Sequence, residues 1–281
     1  MRHPAPRPWA EAPRAALQAV VGVLTDIDDT LTTLGAVTPD ALEALALLQA
    51  AGLHVIAITG RPLGWNAPFA RAWPVDAIVA ENGAVALFRE EGGRLTIDYA
   101  QDEATRTRNA QRLREVAERV LREVPASALA QDSAGRVTDI AIDHSEFAHL
   151  TPQQIAATVA VMQSEGMNAT VSSIHINGWF GTHTKLSGAR WAVQRLLARD
   201  LEAERERWVW VGDSTNDQLM FGHFPLSVGV ANLMDFADAL TVWPAYITPS
   251  ARGAGFAEVA QRLLHSARPR PRQTASSVGG A

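Results

Sequence analysis

Carboxylates gather at two places in the chain, Asp26-Ile27-Asp28-Asp29-Thr30 and Gly212-Asp213-Ser214-Thr215-Asn216-Asp217. In an extended stretch, positions i and i+2 point to one side, which brings Asp26 and Asp28 together. Two acids so close repel, and one pKa rises unless a cation neutralises them. Asp26, Asp28, Asp213 and Asp217, with no cysteine in the chain and no histidine at these positions, suit a hard ion with oxygen ligands, most naturally Mg²⁺. Mg²⁺ held this way keeps positions open for water and phosphate oxygens. Donors for the other phosphate oxygens are at hand in Thr59 and the backbone of Gly60, and in the ammonium of Lys185. A metal, a lysine and a threonine around a carboxylate nucleophile fit phosphoryl transfer through an aspartyl phosphate. Taken singly, each aspartate reads as a helix N-cap and Lys185 as a surface lysine. Several polar clusters at strand ends read differently.

The elements that must bring these clusters together alternate between strand and helix. Val20–Thr25 is a short apolar run of the kind buried on both faces of a parallel sheet. Thr38-Pro39-Asp40 opens a helix that Gly52 stops, and His54–Ile58 is the next strand. A helical stretch reaches Trp73, and strand Ala77–Ala80 ends in Glu81-Asn82-Gly83. This βαβαβ order predicts a Rossmann-like, doubly wound parallel sheet, in which ligands bind beyond the carboxyl ends of the strands. From residue 84 the pattern changes. A hairpin (Ala84–Phe88 and Leu95–Tyr99), a long helix from about Asp102 to Val124, and alternating strands at Val137–Asp143 and Asn168–Asn177 predict an inserted α+β domain with one open sheet face. The outer pattern resumes with a helix from Ser187, strand Trp208–Val211, strand-like pieces near Leu226–Val230 and Leu240–Val242, and a helix around Phe256–His265. The expected division is a flexible arm at 1–18, a core at 19–83 and 184–266, a cap at 84–183, and a disordered Pro/Arg then Ser/Gly tail at 267–281.

Asp26-Ile27-Asp28-Asp29-Thr30-Leu31 resembles the opening D-x-D-x-T motif of the haloacid dehalogenase (HAD) superfamily. Ile58-Thr59-Gly60-Arg61 is similar to its second motif, Lys185 to its third, and Gly212–Asp217 to its G-D-x-x-N-D fourth. Glu81-Asn82-Gly83 and the large insertion between motifs two and three resemble the Cof-type branch, which includes sucrose-phosphate, trehalose-phosphate and mannosyl-phosphoglycerate phosphatases. The resemblance implies an α/β HAD core with a cap, and a set of roles. Asp26 would be nucleophile and metal ligand. Asp28 would be the acid and then the base, with its main-chain carbonyl on the metal. Thr59, Gly60 and Lys185 would hold the phosphoryl group, and Arg61 would either touch it or brace the motif-two turn. Asp213 would ligate the metal directly, and Asp217 through water or as an orienting group. Asn216 would hydrogen-bond phosphate or Lys185. The acid at the +2 position favours phosphate esters over halides. A phosphomutase of the same fold and a silent ligand-binding relative are the alternatives. The run WFGTHTK before Lys185 departs from the glycine-valine-serine run of many Cof-type members.

The cap would choose the leaving group, with His175, Asn177 and Trp179 as candidates on its exit strand. Trp179 has two readings, stacking on a sugar ring or packing at the interdomain hinge. Asp139, Asp143 and His144 lie on an alternating strand, facing either the site or solvent. The chain's 281 residues carry 25 Lys+Arg against 30 Asp+Glu, so no basic field gathers nucleic acid or anionic lipid. Zero cysteines exclude disulfides, thiolate zinc sites and thiol nucleophiles. No apolar run approaches the ~18 residues that span a bilayer. The expectation is a cytoplasmic monomer or small homo-oligomer whose partner is a small phosphate ester.

Overall fold

The computed structural model describes residues 5–90 and 92–266, so the tail expected at 267–281 lies outside the described residues. Strand β1 (Arg7–Pro8) and helix α1 (Arg14–Ala19) lead into β2 (Gly22–Thr25). A small hairpin, β3 (Thr32–Thr33) and β4 (Ala36–Val37), precedes α2 (Pro39–Ala50), β5 (His54–Ile58), α3 (Leu63–Ala72) and β6 (Ala77–Ala80). The hairpin β7 (Val85–Arg89) and β8 (Leu95–Tyr99) follows. The middle of the chain forms α4 (Glu103–Glu123), β9 (Ala128–Leu129), β10 (Asp139–Asp143), α5 (Pro152–Ser164), β11 (Asn168–Val171) and β12 (His175–Trp179). The chain then returns through α6 (Lys185–Leu197), β13 (Trp208–Gly212), α7 (Gln218–His223), β14 (Leu226–Gly229), β15 (Tyr246–Ile247) and α8 (Arg252–Ser266).

Nine strands form one sheet in the order β1-β15-β14-β13-β2-β5-β6-β7-β8. Pairing is parallel from β1 through β6, with Val23 between Val209 and Val55 at the centre. The central strands are apolar throughout because helices cover both faces. One layer buries Leu45, Leu48 and Phe256 of α2 and α8 on Val23, Val55 and Val211. The other buries Ala189 and Val193 of α6 and Phe221 of α7 on Leu24, Ile56 and Trp210. The doubly wound parallel sheet expected from the sequence is present.

A second sheet, β11-β12-β10-β9, is antiparallel and carries α4 and α5. Its own core joins Leu113, Val116 and Val120 of α4 to Ile142, Met162 and Ile176. Cross-links from this cap reach residues just past β5, β6 and β13, which places it over the carboxyl ends of the core strands.

Four features depart from the sequence reading. The hairpin β7–β8 extends the core sheet antiparallel to β6, so the chain leaves the core near residue 100 and not at 84. Hairpin turn chemistry marks a hairpin but not the sheet edge it joins. The described part of the expected flexible arm is built in: β1 pairs with β15, and Trp9 is buried with its ring edge-on to Tyr246 at 5.4 Å. Trp9, Ala12 and Leu17 bury an apolar face despite the prolines around them. The single strand expected at Asn168–Asn177 is a hairpin, turned at Ser172, whose hydroxyl accepts the His175 N–H. Residues 240–242 form no strand, because Gln218 takes the N–H groups of Thr241 and Val242. Among the described residues no helix is long and apolar enough to cross a membrane.

Candidate active site

Two neighbouring core strands, β2 and β13, end side by side and deliver the acids. Asp26 follows β2, its N–H continuing the sheet pairing to Val211 O at 2.9 Å. Beyond it the chain wraps back, with the N–H groups of Leu31 and Thr32 on Ile27 O and Asp29 in the left-handed region at φ 52°. Asp213 and Asp217 follow β13 in a tight turn. Asp217 Oδ2 accepts the N–H groups of Asp213 and Ser214 there, at 2.9 and 3.2 Å. Gly212 allows this turn because a Cβ at that position would lie 2.4 Å from Asp217 Oδ2.

Carboxylate oxygens of Asp26, Asp213 and Asp217 lie within 4.8 Å of one another, and all three residues are buried. Lys185, in the first turn of α6, sets its Nζ 3.1 Å from Asp26 Oδ1 and 2.8 Å from Asp217 Oδ1. Burial works against the lysine's charge, but Asp217 and Asp26 outweigh it and hold the ammonium protonated. Burial also pushes Asp26 up to about 7, opposed by Lys185 and reinforced by Asp217 and Asp28. Asp213 rises well above the carboxylate range by burial, with Asp26 and Asp217 adding to it. One ammonium thus faces three buried carboxylates, a charge deficit that a divalent cation fits, and the donor set is all oxygen. Asp217 already has partners on both oxygens, which suits it to orienting Lys185 and the turn. Asp213 accepts Thr30 Oγ1 at 3.4 Å and Asn232 Nδ2 at 3.2 Å, while Asp26 meets Lys185 through Oδ1.

Asp28 stands apart from this cluster. Its two oxygens accept Arg61 Nε at 3.0 and 3.1 Å. Burial raises its pKa, and Arg61 pulls it back. Arg61 is itself enclosed, with Asp132 at 3.2 Å and Glu146 at 2.8 Å from its terminal nitrogens and the Trp65 ring at 5.1 Å. Thr59 is buried after β5, its hydroxyl accepting the Arg61 N–H at 3.0 Å. The carbonyl of Gly60 accepts Arg136 Nη1 at 2.9 Å and Asn177 Nδ2 at 3.3 Å, leaving only its N–H side for a ligand. A cleft of about 510 Å³ opens between core and cap, with Asp28, Asp213 and Arg61 in its wall.

The remaining sequence candidates fall elsewhere. Asn216 Oδ1 accepts the Ser214 hydroxyl at 2.9 Å, and Lys185 turns instead to Asp26 and Asp217. Trp179 is buried, donates to His183 O at 2.9 Å and stacks on the His183 ring, so of its two readings the hinge is the one observed. His175 is buried behind the cleft and reaches it through Glu146, 3.0 Å away. Burial opposes Glu146's charge, but His175 and Arg61 hold the carboxyl down at about 2. Asn177 braces Gly60 and Asp139 and does not line the cleft. Asp139 faces neither site nor solvent: it pairs with Arg136 at 2.9 Å, and burial pushes it up to about 7 against that pairing.

Four residues the sequence reading passed over matter here: Arg136, Glu146, Asn232 and Arg252. Asn232 carried a usable signal, because it follows a further strand end, that of β14. The others sit in loops or at helix starts, where no period marks them.

A metal-capable carboxylate cluster thus lies at the carboxyl end of a parallel sheet, beneath a cap. Residues 23–119 match the family described as haloacid dehalogenase-like hydrolase. The fold is that of the sucrose-phosphatase of Synechocystis (17% identity, TM-score 0.61, covering 87% of this chain and 98% of that one). It is equally that of the trehalose-6-phosphate phosphatase C-terminal domain of C. albicans (13%, 0.64, 94% and 99%). A haloacid dehalogenase-like hydrolase from Bacteroides thetaiotaomicron matches at 16% identity and TM-score 0.58, over 87% and 99% of the two chains. No curated protein matches the chain significantly. The matched stretch contains Asp26–Thr30 and Thr59–Arg61, while Lys185 and Asp213–Asp217 lie outside it.

Proposed function

We propose that the chain is a Mg²⁺-dependent phosphomonoester hydrolase that works through an aspartyl phosphate on a small phosphorylated metabolite. The observation that carries this reading is Asp26, buried with Oδ1 on Lys185 and its carboxylate beside those of Asp213 and Asp217. Asp26 and Asp213 would hold the metal, which when bound supplies charge neutralisation for the phosphoryl oxygens.

A carboxylate oxygen of Asp26 attacks phosphorus while the ester P–O bond breaks. The leaving oxygen takes a proton from Asp28, whose raised pKa suits it to hold one. Water then attacks the aspartyl phosphate, giving a proton back to Asp28, and the Asp26 carboxylate is restored with release of inorganic phosphate. Lys185 and Thr59 hold the phosphoryl group through both halves. Arg61 keeps Asp28 turned toward the cleft.

A sugar phosphate is the substrate class we assign, by analogy with the sucrose- and trehalose-6-phosphate phosphatases of the same fold. The cleft volume of about 510 Å³ accommodates such an ester. The test is phosphate release from a panel of sugar phosphates, nucleotides and an aryl phosphate, with Mg²⁺ and with EDTA. Release should need Mg²⁺ and fall by about 10³-fold or more in Asp26→Asn. Release that survives EDTA and the substitution would contradict the reading.

A further inference from the structure

Arg252 brings to the cleft wall a strained backbone together with a charge that is only half used. It opens α8 at φ 56°, a left-handed conformation that a long side chain adopts at a cost. Its N–H donates to Asn232 Oδ1 at 2.9 Å. The same Asn232 amide donates to Asp213 Oδ2 and to Asp29 O, so the Arg252 backbone is pinned to the metal-capable cluster through one side chain. The guanidinium is steadied by Asp29, whose Oδ1 accepts its Nε at 2.9 Å. Asp29 is itself left-handed, at φ 52°. Among the described residues, Nη1 and Nη2 make no hydrogen bond, and the side chain is 38% exposed in the cleft wall. Arg61, the other cation there, is saturated by Asp28, Asp132 and Glu146. Acids otherwise line this cleft, Asp28, Asp29, Glu146 and Asp235 among them. Along this acidic wall, the Nη1 and Nη2 donors of Arg252 are the cationic group left to receive an anion.

Resting on the phosphatase reading, we propose that Arg252 is a specificity residue that receives a second anionic group, carried by the leaving group of the substrate. A planar fork of two N–H donors takes a carboxylate or a further phosphate in the same way. The preferred substrate is thus a phosphorylated sugar acid or a sugar bisphosphate, and a neutral sugar phosphate is the poorer one.

Three esters separate the possibilities: sorbitol 6-phosphate, 6-phosphogluconate, which differs from it by a terminal carboxylate, and fructose 1,6-bisphosphate. The Mg²⁺-loaded protein should show kcat/KM about ten- to hundredfold higher for at least one doubly anionic ester, and which one identifies the anion. Arg252→Asn, a residue at ease in the left-handed region, should erase that preference through KM, lowering kcat/KM for the favoured doubly anionic ester at least tenfold more than for sorbitol 6-phosphate. Arg252→Lys should restore part of it. Calorimetry gives a readout independent of turnover: gluconate should bind at least tenfold tighter than sorbitol, and lose that margin in Arg252→Asn. Equal hydrolysis of all three esters by the native chain would overturn the proposal. So would an equal loss for all three in the variant, or gluconate binding no tighter than sorbitol. Failure of the phosphatase reading looks different, as no phosphate from any ester while gluconate binding is retained.

Discussion

In the proposed mechanism Asp26 has to give up its proton to act as a nucleophile, and its burial resists that in the absence of a cation. Burial raises it to about 7, from about 4 in an unfolded chain. Between those values the folded, metal-free protein holds a proton that the unfolded chain has lost. Stability therefore falls as pH rises from about 4 to about 7, and the whole penalty is present above 7. Mg²⁺ favours the ionised carboxylate, so it should raise Tm more at pH 7.5 than at pH 5.5, and Asp26→Asn should flatten the difference. Equal shifts at the two pH values would contradict this. Lys185→Met should lower kcat by about 10²–10³-fold, because it removes the ammonium that on the proposed mechanism would hold the phosphoryl group; phosphate-release rates check it. Asp26, Asp28, Thr59, Asp213 and Asp217 were legible as residues because strand ends give them a fixed address, whereas Lys185 opens α6 and was marked only by its motif resemblance. Arg61's partners were not, because Asp132 and Glu146 sit in loops far along the sequence, where spacing says nothing about contact.

At the scale of elements, the position of Lys185 depends on how closely α6 approaches the turn after β6. Gly83, at φ 108°, and Gly188 meet there: a Cβ on Gly188 would lie 2.5 Å from Gly83 Cα and 3.0 Å from Val79 Cγ1. Gly188→Ala should therefore cost about 1–3 kcal/mol in denaturant unfolding and also lower kcat, since Lys185 stands one turn back on the same helix. Gly222→Ala on α7 is the matched control. Its added Cβ would meet Val242 Cγ1 at 3.2 Å and no backbone of another element, so it should cost under about 1 kcal/mol. The parallel strands and the helices between them were legible because both-face burial writes continuous apolar runs. The helix starting at Thr151 was legible from its cap, and its capping box with Gln154 is formed. The break between β11 and β12 was not, because Ser172 supports a turn through a side-chain bond that alternation does not reveal.

Across the whole molecule, a buried ionic clamp joins the cap to the core beside the second motif. Arg136 spans Asp132, Asp139 and the carbonyl of Gly60, while Glu81 past β6 accepts the Thr138 N–H at 2.6 Å. Arg136→Met would leave Asp139 buried and unpaired, and it should lose about 3–5 kcal/mol in thermal unfolding. Adding Asp139→Leu should recover part of that loss, and strict additivity of the two substitutions would refute the clamp. Sequence alternation marked β10 as half-exposed, yet all five of its residues are buried. The open face is covered by the core, a tertiary fact with no local signature. The two-part plan of core and insertion was legible, whereas the place of β7–β8 in the core sheet was not.

The most direct test of the central claim is a rapid acid quench of the Mg²⁺-loaded protein during turnover of a ³²P-labelled ester, followed by peptide mapping. Label should appear on the peptide containing Asp26, be released by hydroxylamine, accumulate in Asp28→Asn, and be absent from Asp26→Asn. Steady release of phosphate with no label on the protein at any quench time would mean that water attacks the ester directly, and the aspartyl-phosphate account would be wrong.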